Sequence, residues 1–288
     1  MSSVRTILNG STVGSSEPSV VIEPRRGLFH LDLKSIWQYR VLLYFLVWRD
    51  LKVRYKQTII GVGWAIIQPF ISMVIFTLIF GIFARLPSDG LPYPIFAYTA
   101  LLPWNYFASA LNRCTASVVG DANLVTKVYF PRLVLPLVGT ISGLIDFLIS
   151  FILLLGLMAW YGIPPTVRAL SIPLFLFFAL LTALAVGLWL AAINVRYRDV
   201  GYTMPFVMQV WMFLSPIVYP TSIIPQKYRV LYTLNPMVGV IEGFRWALLG
   251  KGSPDLLVIT VSAAVVCVVL LTGLVFFKRM EQTFADVI

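Results

Sequence analysis

The chain has 288 residues, 59% hydrophobic and only 12% charged, with a net charge of +10 and a mean hydropathy of +0.88. A soluble domain carries about a quarter charged residues, so this composition excludes a water-covered globule and points to a membrane. The basic residues cluster instead of covering a face, which argues against a nucleic-acid partner, and Cys114 and Cys267, both in apolar context, leave neither a disulfide framework nor a metal cluster.

Residues 1–34 begin "MSSVRTILNGSTVGSSEPSV", polar and rich in Ser and Gly, with no apolar core. This reads as a disordered tail, not a signal peptide. From Trp37, apolar residues fall at Val41, Tyr44, Phe45, Trp48, Leu51, Tyr55 and Ile59, in steps of three and four that mark one helical stripe. Arg49, Lys52 and Lys56 share the opposite face, with Arg54 between them. Residues 35–60 are therefore expected to form an amphipathic helix in the interface plane, its cations toward lipid phosphates or an acidic partner. The plainer reading is a positive-inside anchor for the span that follows.

Six segments are candidates to cross the hydrocarbon: 62–84, 95–119, 133–161, 169–193, 202–219 and 256–277. The second carries Asn105, Asn112 and Arg113, the third holds Asp146, and the fifth is short, Met-rich and ends in "SPIVYP". Residues 220–255 are too polar to span and too apolar for an ordinary loop. Their Pro and Gly punctuation suggests short re-entrant helices, tolerated where protein or water satisfies the backbone. With both termini cytoplasmic, sixteen of the 22 Lys and Arg fall inside, which fixes the expected orientation. Residues 278–288 are then a cytoplasmic tail, and the expected fold is all-α with six transmembrane helices spread over 61–277.

The inner connector "GDANLVTKVYFPRLVLP" is expected to hold a short helix capped by Asp121 or Asn123 and ended by Pro131, bearing Lys127 and Arg132. It suits docking to another protein, or it is a tidy loop. In "NVRYRDVG", Arg196, Arg198 and Asp199 pair with each other or with a partner, or simply mark the membrane edge. Asp146 at mid-membrane needs a partner, as a proton relay or, more simply, as a structural hydrogen bond to a neighbouring helix. Aromatics are dense, among them Trp64, Phe70, Phe76, Trp104, Tyr106, Trp211, Phe213 and Tyr219. Interfacial belts are the default use of such rings, but they also stack on sugar faces. There is no G-x-x-x-x-G-K-[ST] phosphate loop, and Asp121, Asp199 and Glu281 are too scattered for a catalytic acid pair. That disfavours a membrane-embedded glycosyl- or acyltransferase, and any energy source must come from a partner or a gradient.

Taken in order, "RDLKVRYKQTIIGVGWAIIQP", "NLVTKVYFPRLVLP", "RYRD", "SPIVYP" and "LNPMVGVIEGFRWALL" resemble the membrane permeases of type-2 ABC exporters, in the branch that exports O-antigen, capsular and teichoic-acid polymers. The resemblance covers residues 37–277. It implies a multi-pass permease of the bacterial plasma (inner) membrane, a homodimer docked on two separate ATP-binding-cassette subunits that hold the ATP and magnesium, with no cofactor on this chain. The substrate implied is a polysaccharide linked to polyprenyl diphosphate; a permease for a drug or lipid is the alternative within the fold. In this frame Arg49, Lys52, Arg54 and Lys56 are gate-helix cations for the phosphates. Asn123, Lys127, Phe130 and Arg132 are coupling residues for the ATPase. Trp64, Phe70, Phe76, Trp104, Tyr106, Trp211, Phe213 and Tyr219 are candidates for a glycan path.

Overall fold

The computed structural model describes residues 2–6, 20–24, 33–56, 61–250 and 256–287. Most of them are helical, and an antiparallel ribbon pairs β1 (Ser2–Thr6) with β2 (Val20–Pro24). Both strands lie within the expected N-terminal tail, where the run Val20, Val21, Ile22 is β-branched and favours extended backbone; residues 1, 7–19 and 25–32 lie outside the described residues.

The interfacial segment is two helices, α1 (Leu33–Gln38) and α2 (Arg40–Lys56), interrupted at Tyr39. Its expected stripe is one of two apolar sides. Trp37, Val41, Tyr44, Phe45 and Trp48 remain half or more exposed, while Leu46 is buried and Leu42, Leu43 and Val47 pack beside it on the bundle. The helix therefore has an outward aromatic side and an inward aliphatic side, and counting only the first hid the second. Ile59 lies outside the described residues.

Helix α3 (Gly63–Phe76) contains the buried Pro69 and widens into a π-helical stretch, Thr77–Phe83. The 28-residue α4 (Tyr93–Gly120) follows. A short connector helix, α5 (Ala122–Lys127), leads to α6 (Val134–Ile141) and α7 (Gly143–Trp160), which meet at a break at Ser142. Next come α8 (Ile172–Arg196) and α9 (Asp199–Phe213). The expected short helices of 220–255 are present as α10 (Gln226–Thr233) and α11 (Pro236–Leu249). The chain ends in α12 (Leu256–Met280), a 3-10 turn at Glu281–Thr283, and α13 (Phe284–Val287).

Four of these segments are long and apolar enough to cross a membrane: Gly63–Phe83, Val134–Trp160, Val167–Arg196 and Leu257–Thr283. Helix α4 is long enough but more polar. Helix α9 has 15 residues, a rise of about 22 Å, and stops before "SPIVYP" instead of running to Tyr219.

Helix α4 is the centre. It is buried nearly all round from Ile95 to Phe107, as befits a helix surrounded by protein on every side. It packs on α3, α6, α7, α8 and α11. Its crossing with α8 is close because Gly187 faces Cys114; a Cβ on Gly187 would lie 2.4 Å from the Cys114 sulfur. Cys114 is buried there, whereas Cys267 on α12 is exposed.

The "LNP" of the last motif has a local cause. Asn235 caps α11 by accepting from the Met237 amide at 3.1 Å, accepts from the Trp211 indole at 3.0 Å, and donates to Ser215 Oγ at 3.0 Å. Arg245 of α11 is buried. It lies 3.7 Å from the centroid of the Phe96 ring and donates to the Ile217 carbonyl at 2.9 Å, so "SPIVYP" is held onto α11.

Candidate functional site

The expected gate-helix cations do not form one free patch. Arg49 reaches across to Asp121 with two contacts of 2.9 Å and also holds its neighbour Asp50 at 3.1 Å. The hydrogen bond to Asp121 is the main reason its pKa is raised further. Arg54 points inward and is ion-paired with Asp146 on α7, to which the Tyr55 hydroxyl also donates. Burial, then that bond, pushes the Tyr55 phenol up to about 12, which keeps it a neutral donor. Lys52 and Lys56 are exposed, Lys52 lying 4.7 Å above the Trp48 ring.

Asp146 thus has the partners that its depth demanded, and they include a third. Arg113 of α4 approaches the same carboxylate at 3.5 Å, while its Nε donates to the Gly139 carbonyl at 3.2 Å. Its Nη2 is buried and finds no acceptor among the described residues. A buried donor left unmatched costs about 1–3 kcal/mol. Gly143 makes room for this guanidinium, since a Cβ there would come within 2.4 Å of Nη2.

Around this cluster lies a cavity of about 450 Å³ between α2, α3, α4 and α7. Its polar lining includes Gln68, Asn105, Ser109, Asn112 and Ser150, and Trp64, Tyr106 and Phe147 supply aromatic wall. The motifs of the sequence do not single it out as a site. A signal was available: Asn105, Ser109 and Asn112 recur at steps of four and three, with Arg113 four after Ser109, one polar stripe on a largely apolar helix.

The expected glycan-path aromatics separate. Trp64 and Tyr106 share the cavity. Trp104 is buried and packs on Phe107, which in turn meets Trp211 edge-on at 5.0 Å. Phe76 packs on Phe80. Phe70 and Phe213 are exposed on the outside of this chain, and Tyr219 is tied to the Phe213 carbonyl at 3.1 Å. Within one chain they do not form a continuous path.

The coupling residues also divide. Asn123 and Lys127 are exposed on α5, while Phe130 is buried. The Arg132 amide donates to the Glu281 carboxylate at 3.1 Å, its guanidinium donates to the Glu281 carbonyl, and it lies over the Phe284 ring. The C-terminal segment is therefore docked beside the connector. Neither proposed cap makes a side-chain cap to α5; Asp121 stands at that position, but its carboxylate goes to Arg49. Nor does Pro131 end the helix, because Val128 is already extended. At the second connector, Arg196 lies over the ring of Tyr197.

A family model described as ABC-2 type transporter matches residues 41–249, from α2 to the end of α11. The chain belongs to the ABC-2 type transporter family. Several relatives extend the match over nearly the full length. An O-antigen export system permease protein RfbA of Myxococcus xanthus is 31% identical over 257 residues, 88% of this chain and 98% of that protein. A protein of the same description from Klebsiella pneumoniae is 26% identical, covering 86% of this chain and 95% of its own length. The polysialic acid transport protein KpsM of Escherichia coli is 25% identical, covering 81% and 91%. The resemblance carried by the motifs is thereby established at the level of the family. As an ABC-2 membrane protein, the chain keeps both the cavity and the connector inside the matched region.

Proposed function

We propose that this ABC-2 chain is the membrane permease of an ATP-driven exporter that carries a polysaccharide outward across the bacterial inner membrane. The observation that carries the reading is the end-to-end similarity to permeases described for O-antigen export and polysialic acid transport. The polar and aromatic cavity behind α2 supports it, because hydroxyl-rich ligands need amides for their hydroxyls and rings for their apolar faces.

In this reading two copies of the chain form the pathway, and two ATPase subunits holding ATP and magnesium dock on the exposed residues Asn123 and Lys127. The chain crosses six times with both termini inside. Helices α4 and α9 supply the two crossings beyond the four apolar segments; the non-helical residues after Phe213 complete the second of them, with α10 and α11 re-entering from the outer side. Motion of α5 passes through Asp121 and Arg49 into α2, and from α2 through Arg54 to the cavity. Lys52 and Lys56 remain at the surface for the diphosphate of a polyprenyl carrier, by charge-assisted hydrogen bonds.

The test is deletion of the gene in its host, followed by complementation. Surface polysaccharide should disappear while lipid-linked polymer accumulates inside, and both should recover with the wild-type chain. Unchanged surface display in the deletion strain would rule the reading out. A purified permease–ATPase complex whose ATP hydrolysis responds to drugs or phospholipids, and not to glycan, would favour the other ABC-2 substrates.

A further inference from the structure

The C-terminal residues past Met280 are tied to the connector by more than apolar contact. Arg132, just after α5, makes three contacts with them. Its amide donates to the Glu281 carboxylate at 3.1 Å, its guanidinium donates to the Glu281 carbonyl, and the same group lies 6.0 Å from the centroid of the Phe284 ring. Phe284 is fully buried and meets Phe277, near the end of α12, edge-on at 5.3 Å. Val125 of α5 and Phe130 belong to the same buried cluster, and α13 packs on α5 and α8. Apolar burial by itself is non-directional, whereas the two bonds to Glu281 fix the register in which the segment sits. Met280 and Phe284 keep helical backbone on either side of the turn at Glu281–Thr283, so no extended residue separates these contacts from α12.

We propose that residues 281–287 clamp the connector to α12, with Arg132 as the positioning residue, and that movement of α5 reaches α12 through this clamp. A close-packed interior transmits displacement instead of absorbing it, and Phe130, Phe284 and Phe277 are buried together between the connector and the end of α12. The route is separate from the one through Asp121 and Arg49, which leaves the other end of α5 and enters α2. The proposal rests on the reading that an ATPase docks at α5. It gives a segment that reads as a plain tail a role in export, with no part in holding the polymer.

The experiment uses the full-length chain co-purified with its ATPase subunit, compared with a chain ended after Met280 and with two variants of Arg132. Hydrogen exchange of peptides from α5 and from 270–280 is measured without nucleotide and with ATP trapped by vanadate, a readout that does not depend on which substrate is exported. ATP hydrolysis, thermal melting and export in the complemented deletion strain are recorded alongside. In the wild type, trapping should alter exchange in both α5 and α12. In the shortened chain the response of α5 and ATP hydrolysis should persist, the response of α12 should be lost, and export should fall about three-fold or more. A segment that only stabilised the fold would not separate hydrolysis from export in this way. Arg132→Gln should show the same pattern, and Arg132→Lys, which can still donate to the Glu281 carbonyl, should retain part of the coupling. Should the shortened chain fail to fold, the two Arg132 variants, which keep the whole chain, decide the matter. An α12 that does not respond in the wild type overturns the clamp, and so does an α12 response or wild-type export that survives in the folded variants. Loss of the ATPase from a folded variant overturns it too, by making the segment part of the docking surface. An α5 that ignores nucleotide in the wild type would instead bring down the reading of an ATPase docked there, and the clamp with it.

Discussion

Arg49 of α2 holds Asp121 at the head of α5 through two contacts of 2.9 Å, across 72 positions of sequence. The pair joins the interfacial helix to the connector, and both residues keep part of their surface in water. Partly exposed pairs of this kind contribute about 0–1 kcal/mol to stability. Arg49→Asp should leave thermal stability nearly unchanged. If α2 relays the motion of α5, the same change should lower export roughly two- to thirty-fold, the span given by about 0.5–2 kcal/mol of lost coupling. The exchange Arg49→Asp with Asp121→Arg should restore much of it. Export by Arg49→Asp equal to wild type would remove α2 from the relay.

The neighbouring residues Lys127 and Phe130 should behave in opposite ways. Lys127 is exposed on α5 and Phe130 is buried beside it. Lys127→Glu should reduce co-purification of the ATPase and leave the melting temperature where it was. Phe130→Ala should cost about 3–5 kcal/mol of stability through the cavity it opens. A melting shift in the first, or none in the second, would contradict this division of roles.

Gly187 tests the crossing of α4 and α8. A Cβ added there would meet the Cys114 sulfur at 2.4 Å, so Gly187→Ala must push the helices apart, at a cost of about 1–3 kcal/mol. Cys114→Ala in the same chain should recover part of that loss, since the sulfur is the nearest obstacle. Purely additive effects in the double-mutant cycle would mean that the two side chains do not meet.

The helices were legible because each rests on a local signal. Apolar runs placed α3, α8 and α12, and the Pro and Gly punctuation of 220–255 foretold α10 and α11. Local pattern could not say what the charges do. Arg54 and Asp146 lie 92 positions apart, and nothing near either names the other. For that reason four cations that read as one phosphate-facing set are two paired arginines and two exposed lysines. The aromatic stripe of α2 is periodic, but periodicity does not say which apolar side meets protein. The cavity was partly legible in Asn105, Ser109, Asn112 and Arg113, but its other walls come from three other helices.

The contrast between the two thiols bears on how movement in this chain can be followed. The sequence contains two cysteines, one sealed against Gly187 and the other on the open side of α12. A membrane-permeant maleimide or nitroxide reagent would therefore mark Cys267 alone in the native chain, giving a spectroscopic reporter without any engineered background. Where a blank is wanted, Cys267 is the residue to exchange, because Cys114 is already sealed from the reagent.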